Sequence, residues 1–147
     1  MAEGAEPRKV TVQPPYPLAI VVCDAIHQDP GTGKRTVLGC FSTIFAREFP
    51  VVHPAMALYV ALTDGHGKVP IKLRLIDVEE QGDALIEAEG EVIFPDPRAV
   101  LEMDFHLSGV VFPRAGEYRF QLFAGTEVLI ERRIVVLKAG EEKGEAG

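Results

Sequence analysis

The stretch of this sequence most suited to chemistry runs from Asp77 to Glu91, because it holds seven acidic residues and no basic one. Its first half joins two apolar runs and is predicted to be a loop. Hard cations such as calcium take oxygen ligands from loops, so the loop carboxylates are candidate calcium ligands or a contact for a basic partner. They are Asp77, Glu79, Glu80 and Asp83. The Asp-x-Asp-x-Asp-Gly spacing of a dedicated calcium loop is absent.

The second half of the acidic stretch has a structural explanation. The segments Lys68 to Ile76 and Leu85 to Ile93 favour an antiparallel hairpin. In one register, opposite charges face each other on one side and apolar residues share the other side. The predicted opposed pairs are Arg74 with Glu87, Lys72 with Glu89, Leu75 with Ile86 and Leu73 with Ala88. The strand carboxylates are therefore predicted to be structural, whereas the loop carboxylates keep no structural role.

A second set of candidate metal ligands comes from distant parts of the chain: Asp24, Asp104 and His106. Asp104 and His106 share one face of an unbulged strand, and imidazole and carboxylate groups together suit a transition metal. The other three histidines are scattered, without a short ligand spacing. The alternative function that this set supports is a small metal-dependent enzyme or a ligand-binding β-barrel.

Neither nucleophilic catalysis nor nucleotide binding has a complete motif. Ser42 and Ser108 lack the Gly-x-Ser-x-Gly elbow. The segment from Gly31 to Thr36 is superficially similar to a phosphate-binding loop, but the full pattern has glycine where Gln28 stands. We therefore predict a hairpin turn at this segment, no catalytic residue, no cofactor and a non-enzymatic protein.

The two cysteines, Cys23 and Cys40, are predicted to lie opposite each other in a hairpin that turns at Asp29 to Gly33. A disulfide between them is geometrically conceivable. Two cysteines are few for a disulfide scaffold, and the N-terminal segment lacks the pattern of an export signal. Buried free thiols and a cytoplasmic location are therefore expected.

Length and charge exclude several classes of protein. A chain of 147 residues with 47% hydrophobic content predicts one folded domain. Its net charge of -7 has the wrong sign for binding phosphates or anionic lipid, so neither nucleic acid nor a membrane surface is an expected partner. No apolar run approaches the roughly 18 residues of a membrane-spanning helix.

Apolar residues recur with a period of two, which predicts an all-β protein of about eight strands. Strands with one apolar face pack those faces together, so we expect a two-layer antiparallel β-sandwich over residues 17–137. Flexible tails are expected at 1–16 and 138–147. The predicted strands are 18–26, 34–41, 56–63, 69–76, 84–94, 100–111, 117–123 and 128–137, and the first two are expected to be central.

The segment from Gly116 to Phe120 has the pattern of the tyrosine corner of immunoglobulin-like sandwiches, with Tyr118 at the start of a late strand. Several short motifs follow one another along the chain: Cys23-Asp24, Gly33-Lys34, Leu38-Gly39-Cys40-Phe41, Phe49-Pro50, Gly116-x-Tyr118-x-Phe120 and Glu131-Arg132. In these motifs the chain, from Pro17 to Leu137, resembles an uncharacterised bacterial family of small β-sandwich proteins. The resemblance implies this fold and a bacterial cytoplasmic setting, and it implies no activity and no site residue.

Two predicted strand segments, Leu18 to Val22 and Ile134 to Leu137, are apolar on both faces. One face of such a strand needs cover beyond the partner sheet, either from a loop such as Phe45 to Pro54 or from another chain. We hypothesise a protein interface, most simply a homodimer. Its candidate contact residues are Leu18, Ile20, Val22, Ile134 and Val136. The predicted function is thus a non-enzymatic interaction or structural module whose partner is a protein or a second copy.

Overall fold

The computed structural model describes residues 13–80 and 82–140, and these residues form nine β-strands. No helix in these two ranges is long and apolar enough to cross a membrane. The tails predicted at 1–16 and 138–147 fall mostly outside the described residues. The strands are β1 (Tyr16–Gln28), β2 (Arg35–Cys40), β3 (Thr43–Ala46), β4 (Val51–Thr63), β5 (Gly67–Asp77), β6 (Ile86–Phe94), β7 (Leu101–Phe112), β8 (Gly116–Ala124) and β9 (Glu127–Lys138).

The strands form two sheets that pack face to face. One sheet has the order β2-β1-β4-β7 and the other has the order β3-β9-β8-β5-β6. Their inner faces supply one hydrophobic core, as expected when each sheet has an apolar side to bury. The largest fully buried side chains come from both sheets and include Met56, Leu58, Leu62, Leu73, Leu75, Phe112, Tyr118, Phe120, Leu122 and Ile134. The predicted all-β, immunoglobulin-like sandwich is confirmed.

Period-two alternation explains the central strands of the five-stranded sheet. In β8, the side chains of Tyr118, Phe120 and Leu122 are fully buried, and the residues between them are only partly buried. Strand β5 alternates in the same way through Leu73 and Leu75. Because successive side chains of a strand point to opposite faces, each of these strands buries one face in the core.

The predicted register of the β5–β6 hairpin is confirmed. Arg74 pairs with Glu87 and Lys72 with Glu89, while the apolar pairs fall on the other face as predicted. Arg74 Nε lies 3.1 Å from Glu87 Oε2, which is ion-pair range, although its N–H does not point at that oxygen. The Lys72 ammonium lies 4.0 Å from the same Glu87 carboxylate rather than bonding to its register partner.

The β1–β2 hairpin also has its predicted register, with Cys23 opposite Cys40. Cys40 is exposed, so the expectation that both cysteines are buried is wrong for Cys40. Its turn is held by Asp29, whose Oδ2 accepts hydrogen bonds from Gly31 N and Thr32 N at 3.1 and 2.7 Å. The backbone donors of this glycine-rich turn are therefore used within the hairpin. The segment that is superficially similar to a phosphate-binding loop is a β-turn, as predicted.

Three expectations about strands were wrong. Strand β2 is an edge strand, not a central one, because only β1 pairs with it. Strand β3 was not predicted, since four residues are too few to show a period, and it pairs with β9 in parallel. Strand β4 begins at Val51 instead of Met56. The sandwich is therefore antiparallel except for its β3–β9 pair.

In strand β7, the alternation of buried and exposed residues shifts by one position near the end of the strand. Met103 and Phe105 pack against the core at their partly buried positions, but beyond Gly109 the fully or almost fully buried residues are Val110 and Phe112. Gly109 has a φ of 64°, a conformation that favours glycine and interrupts the alternation. The predicted single apolar face of this strand therefore ends at this glycine.

The tyrosine corner predicted at Tyr118 is present. Tyr118 is fully buried, and its hydroxyl donates a hydrogen bond of 2.6 Å to the carbonyl oxygen of Arg114. Arg114 N lies 3.3 Å from the same hydroxyl and donates to it. Burial is the main cause of a raised pKa at Tyr118, so the group remains a neutral donor. This contact determines the path of the chain into β8.

We expect Tyr118→Phe to destabilise the protein by about 1–3 kcal/mol, because the Arg114 backbone loses its partner inside the fold. Urea unfolding followed by circular dichroism measures the change. Tyr16→Phe is the matched control, since Tyr16 is exposed, and it should change the free energy of unfolding by less than about 0.5 kcal/mol. Equal effects of the two substitutions would contradict a structural role for the corner.

Candidate functional site

The acidic loop follows β5 and is anchored at both ends. Val78 N donates to Glu117 O at 3.0 Å, and Leu85 N donates to Leu75 O at 2.7 Å. These bonds tie the loop to its neighbouring strands, so the carboxylate of Asp77 at the end of β5 points toward the turn before β8. Gln81, within this loop, lies outside the described residues.

Asp77 is the one buried charged residue in the described part of the chain, with 5% of its surface exposed. Its Oδ1 accepts hydrogen bonds from the backbone N–H groups of Glu79 and Glu80 at 3.1 and 3.3 Å. Arg114 Nη2 donates to the same oxygen at 2.5 Å. A buried carboxylate is tolerated when it has such donors, and here the donors come from the loop backbone and from Arg114 at the tyrosine corner.

Arg114 connects the loop to the corner. Its Nη1 lies 3.0 Å from Glu79 Oε1, and its backbone carbonyl accepts the Tyr118 hydrogen bond. Among the described residues, two polar atoms of this pair have no hydrogen-bond partner: Asp77 Oδ2 and Arg114 Nε.

A cavity of about 480 Å³, here named the Asp77 cavity, is lined in part by Asp77 and Arg114. Its acidic side comes from the loop, and its apolar side comes from Leu85 and Pro113. The lining residues are Asp77, Glu80, Gly82, Asp83, Leu85, Pro113 and Arg114. Chemically, it offers carboxylate acceptors next to a short apolar wall, which suits an organic cation with a hydrocarbon stem.

The four candidate calcium ligands have different neighbours in the structure. The Arg114 guanidinium forms ion pairs with Asp77 and Glu79, so these two carboxylates already have a cationic partner. Glu80 and Asp83 line the Asp77 cavity. No group of three or more His, Cys, Asp or Glu side chains within 13–80 and 82–140 is arranged to hold a metal ion.

Of the second candidate set, Asp24, Asp104 and His106, the structure brings Asp104 and His106 together but not Asp24. Asp104 Oδ1 accepts a hydrogen bond of 2.7 Å from Arg35 Nε. His106 is 64% exposed at its side chain, and its Nε2 lies 3.8 Å from Asp104 Oδ2. Asp24 packs over Gly39 and lines a different cavity. The site required by the alternative of a metal-dependent enzyme is therefore not assembled by these three residues.

Arg35 instead links the two edges of the four-stranded sheet. It projects from β2 and binds two carboxylates of β7, Asp104 at 2.7 Å and Glu102 at 3.1 Å. Tyr59 on the central strand β4 donates to Glu102 Oε2 at 2.5 Å. These four side chains form the outer cluster, which lies on the sheet face turned away from the core. No sequence signal marked this cluster, because its members are spread over three strands.

The outer cluster helps to cover the outer face of the four-stranded sheet, for which the sequence predicted a loop or another chain as cover. Cys23, Ala57 and Ala61 lie on the same outer face as Tyr59, yet they are almost completely buried. They are small and lie beside the larger side chains of the outer cluster. At least part of the cover for this face therefore comes from the chain itself.

The five candidate interface residues occupy two different environments. Leu18 is 49% exposed and remains available to a partner. The other four are core residues between the two sheets and cannot contact a partner: Ile20, Val22, Ile134 and Val136. The sequence pattern showed that both faces of these strands are apolar but not which face points inward, so the structure corrects this list.

Comparison with known proteins adds a family and a set of distant structural neighbours. A model described as a family of unknown function (DUF6941) matches residues 18–137. The search of curated proteins gives no match. An immunoglobulin-like protein from Pseudomonas aeruginosa is similar over 86% of this chain and 98% of its own, at 14% identity and a TM-score of 0.42.

Two β-glucosidases are also similar in structure. The enzyme from Erythrobacter marinus matches 65% of this chain at 16% identity and a TM-score of 0.46, and one from Listeria innocua matches 93% at 12% identity and a TM-score of 0.45. This chain spans only 14% and 20% of their lengths. Their glucosidase activity is a property of those larger proteins.

The contribution of Tyr59 in the outer cluster to folding stability is predicted to depend on pH. Burial, followed by the hydrogen bond to Glu102, raises the pKa of Tyr59 to about 12, whereas an unfolded tyrosine titrates near 10. The folded state therefore keeps a proton that the unfolded state releases, so the stabilising contribution of Tyr59 is complete below about pH 10 and is lost toward about pH 12. We expect the stability advantage of the wild type over Tyr59→Phe to shrink over this range.

Urea unfolding at pH 9, 10 and 11 measures this advantage. Tyr16→Phe is the control, because it removes an exposed phenol outside the outer cluster. An advantage of wild type over Tyr59→Phe that stays constant from pH 9 to pH 11 would show that the Tyr59 phenol does not keep its proton preferentially in the folded state.

Proposed function

This chain belongs to the family of unknown function DUF6941, so we propose a function from the geometry of the chain itself. The protein is a non-enzymatic binding module that receives a basic side chain of a protein partner in the Asp77 cavity. The observation that carries this function is the lining of the cavity, in which the carboxylates of Asp77, Glu80 and Asp83 accompany one basic residue, Arg114.

The carboxylates that line the cavity favour a ligand that donates hydrogen bonds. A lysine ammonium or an arginine guanidinium supplies several N–H donors and a positive charge at once. A hydrogen bond to a charged group is among the stronger ones, so such a ligand gains most from the carboxylates of the cavity.

The charge around the cavity favours a cation. Asp77, Glu79, Glu80 and Asp83 carry four negative charges, against the one positive charge of Arg114. This excess raises the local concentration of cationic groups and repels anionic ones. Leu85 and Pro113 provide an apolar surface against which the methylene stem of a lysine or arginine can pack.

A protein partner fits the predicted role of an interaction module better than a homodimer does. Four of the five residues expected at a homodimer contact are part of the core. We propose a different protein as the source of the basic side chain, in the bacterial cytoplasm expected from the sequence. Static light scattering of the purified protein tests self-association separately.

The binding prediction uses small cationic probes. We expect Nα-acetyl-lysine amide or Nα-acetyl-arginine amide to produce saturable amide shifts in nuclear magnetic resonance spectra of the labelled protein. The shifts should centre on Glu79 and Glu80, whose N–H groups bond to Asp77. Nα-acetyl-norleucine amide, which lacks the charge, should produce none. High salt should weaken the binding, since part of it is electrostatic.

Matched variants identify the carboxylates responsible. We expect Asp83→Asn to weaken binding by roughly fivefold, about 1 kcal/mol, and Asp77→Asn to weaken it by about tenfold or more. Glu89→Gln makes the same charge change on β6, away from the cavity, and should leave the affinity unchanged. Urea unfolding of each variant confirms that it is folded. Absence of saturable shifts with both cationic probes, or equal weakening by Glu89→Gln, would refute the Asp77 cavity as a cation site.

A further inference from the structure

We propose that Cys23 and Cys40 are a reversible dithiol–disulfide pair, in which Cys40 reacts with a small disulfide from solution and Cys23 then closes an intramolecular bond. This modification site lies in the four-stranded sheet and does not depend on the Asp77 cavity, which lies at an end of the five-stranded sheet. Both cysteines are free thiols in the structure.

The position of the pair in the sheet favours bond formation. Cys23 and Cys40 are directly opposite in the antiparallel β1–β2 ladder. Phe41 N donates to Val22 O at 3.1 Å, so the adjacent cysteine pair occupies a non-hydrogen-bonded position. Cα atoms at such positions are typically about 4.5 Å apart, which falls inside the range of about 4.4–6.8 Å found for disulfides.

The two thiols differ in access, and this difference sets the order of the reaction. Cys40 is exposed and lines a cavity of about 420 Å³ beside Phe41 and His53. Cys23 is 0% exposed, and its Sγ lies 3.5 Å from Ala57 O, to which it donates. Burial, and then the neighbouring Cys40, raise the pKa of the Cys23 thiol. Cys23 therefore reacts only with a sulfur already brought next to it.

The chemistry balances with glutathione disulfide as the oxidant. The Cys40 thiolate attacks one sulfur of glutathione disulfide, forms a mixed disulfide and releases one glutathione thiolate. The Cys23 thiolate then attacks Cys40 Sγ, which forms the Cys23–Cys40 bond and expels the second glutathione thiolate. The two protons lost by the cysteines are taken up by the two glutathione thiolates, so two protein thiols are oxidised and one disulfide is reduced.

The expected result is that glutathione disulfide removes both free thiols of the purified full chain and lowers its mass by two hydrogen atoms. A reducing agent should reverse the change. Cys23→Ala should stop at a stable mixed disulfide on Cys40, because the resolving thiol is missing. Cys40→Ser should react at least about tenfold more slowly, because the remaining thiol has no access to solvent.

Each other outcome overturns the proposal. A wild-type protein that accumulates the mixed disulfide shows that Cys23 does not resolve it. A disulfide-linked dimer shows that the bond forms between chains. Equal reactivity of Cys40→Ser and Cys23→Ala shows that access does not set the order. Cys23→Ser serves as a second variant if Cys23→Ala does not fold, and circular dichroism checks the fold of each protein.

Discussion

The hydrogen bond from Tyr118 to the Arg114 carbonyl is the contact on which the acidic end of the sandwich depends. Tyr118 is fully buried, so its hydroxyl must find a partner within the fold, and this requirement gives the turn before β8 a single path. That path carries the Arg114 guanidinium to Asp77, a residue 37 positions away in the chain. Without it, Asp77 would be a buried carboxylate with no cation beside it, which costs several kcal/mol.

The two sheets protect their outer faces in different ways. The five-stranded sheet carries ion pairs between neighbouring strands, such as Arg119 with Glu131 and Arg74 with Glu87. The four-stranded sheet has one long-range link, Arg35, which joins its two edge strands across small buried residues. A chain with apolar residues on both faces of a strand can therefore provide part of its own cover, and such a pattern does not by itself indicate a homodimer.

Much of the local structure could be predicted from the sequence. The registers of the β1–β2 and β5–β6 hairpins were correct, because strands joined by a short turn have few ways to match both faces. The family membership was also recognised from short motifs over Pro17 to Leu137. Strand β3 was missed, since its partner β9 lies far along the chain and four residues carry little pattern. The acidic residues of the Asp77 cavity were predicted from the sequence. Its lining by Arg114, Leu85 and Pro113 was not predicted.

The sequence by itself determined the all-β class, the hairpin registers and the tyrosine corner, because alternation and turn residues act between neighbours in the chain. Only the tertiary structure decided which apolar face points inward, why Ile20 and Ile134 are core residues, and where Asp77 meets Arg114. Alternation distinguishes two faces of a strand but does not say which one meets the other sheet. Contacts between distant segments arise when the sheets pack, and this packing also places Asp77 and Arg114 in the lining of one cavity.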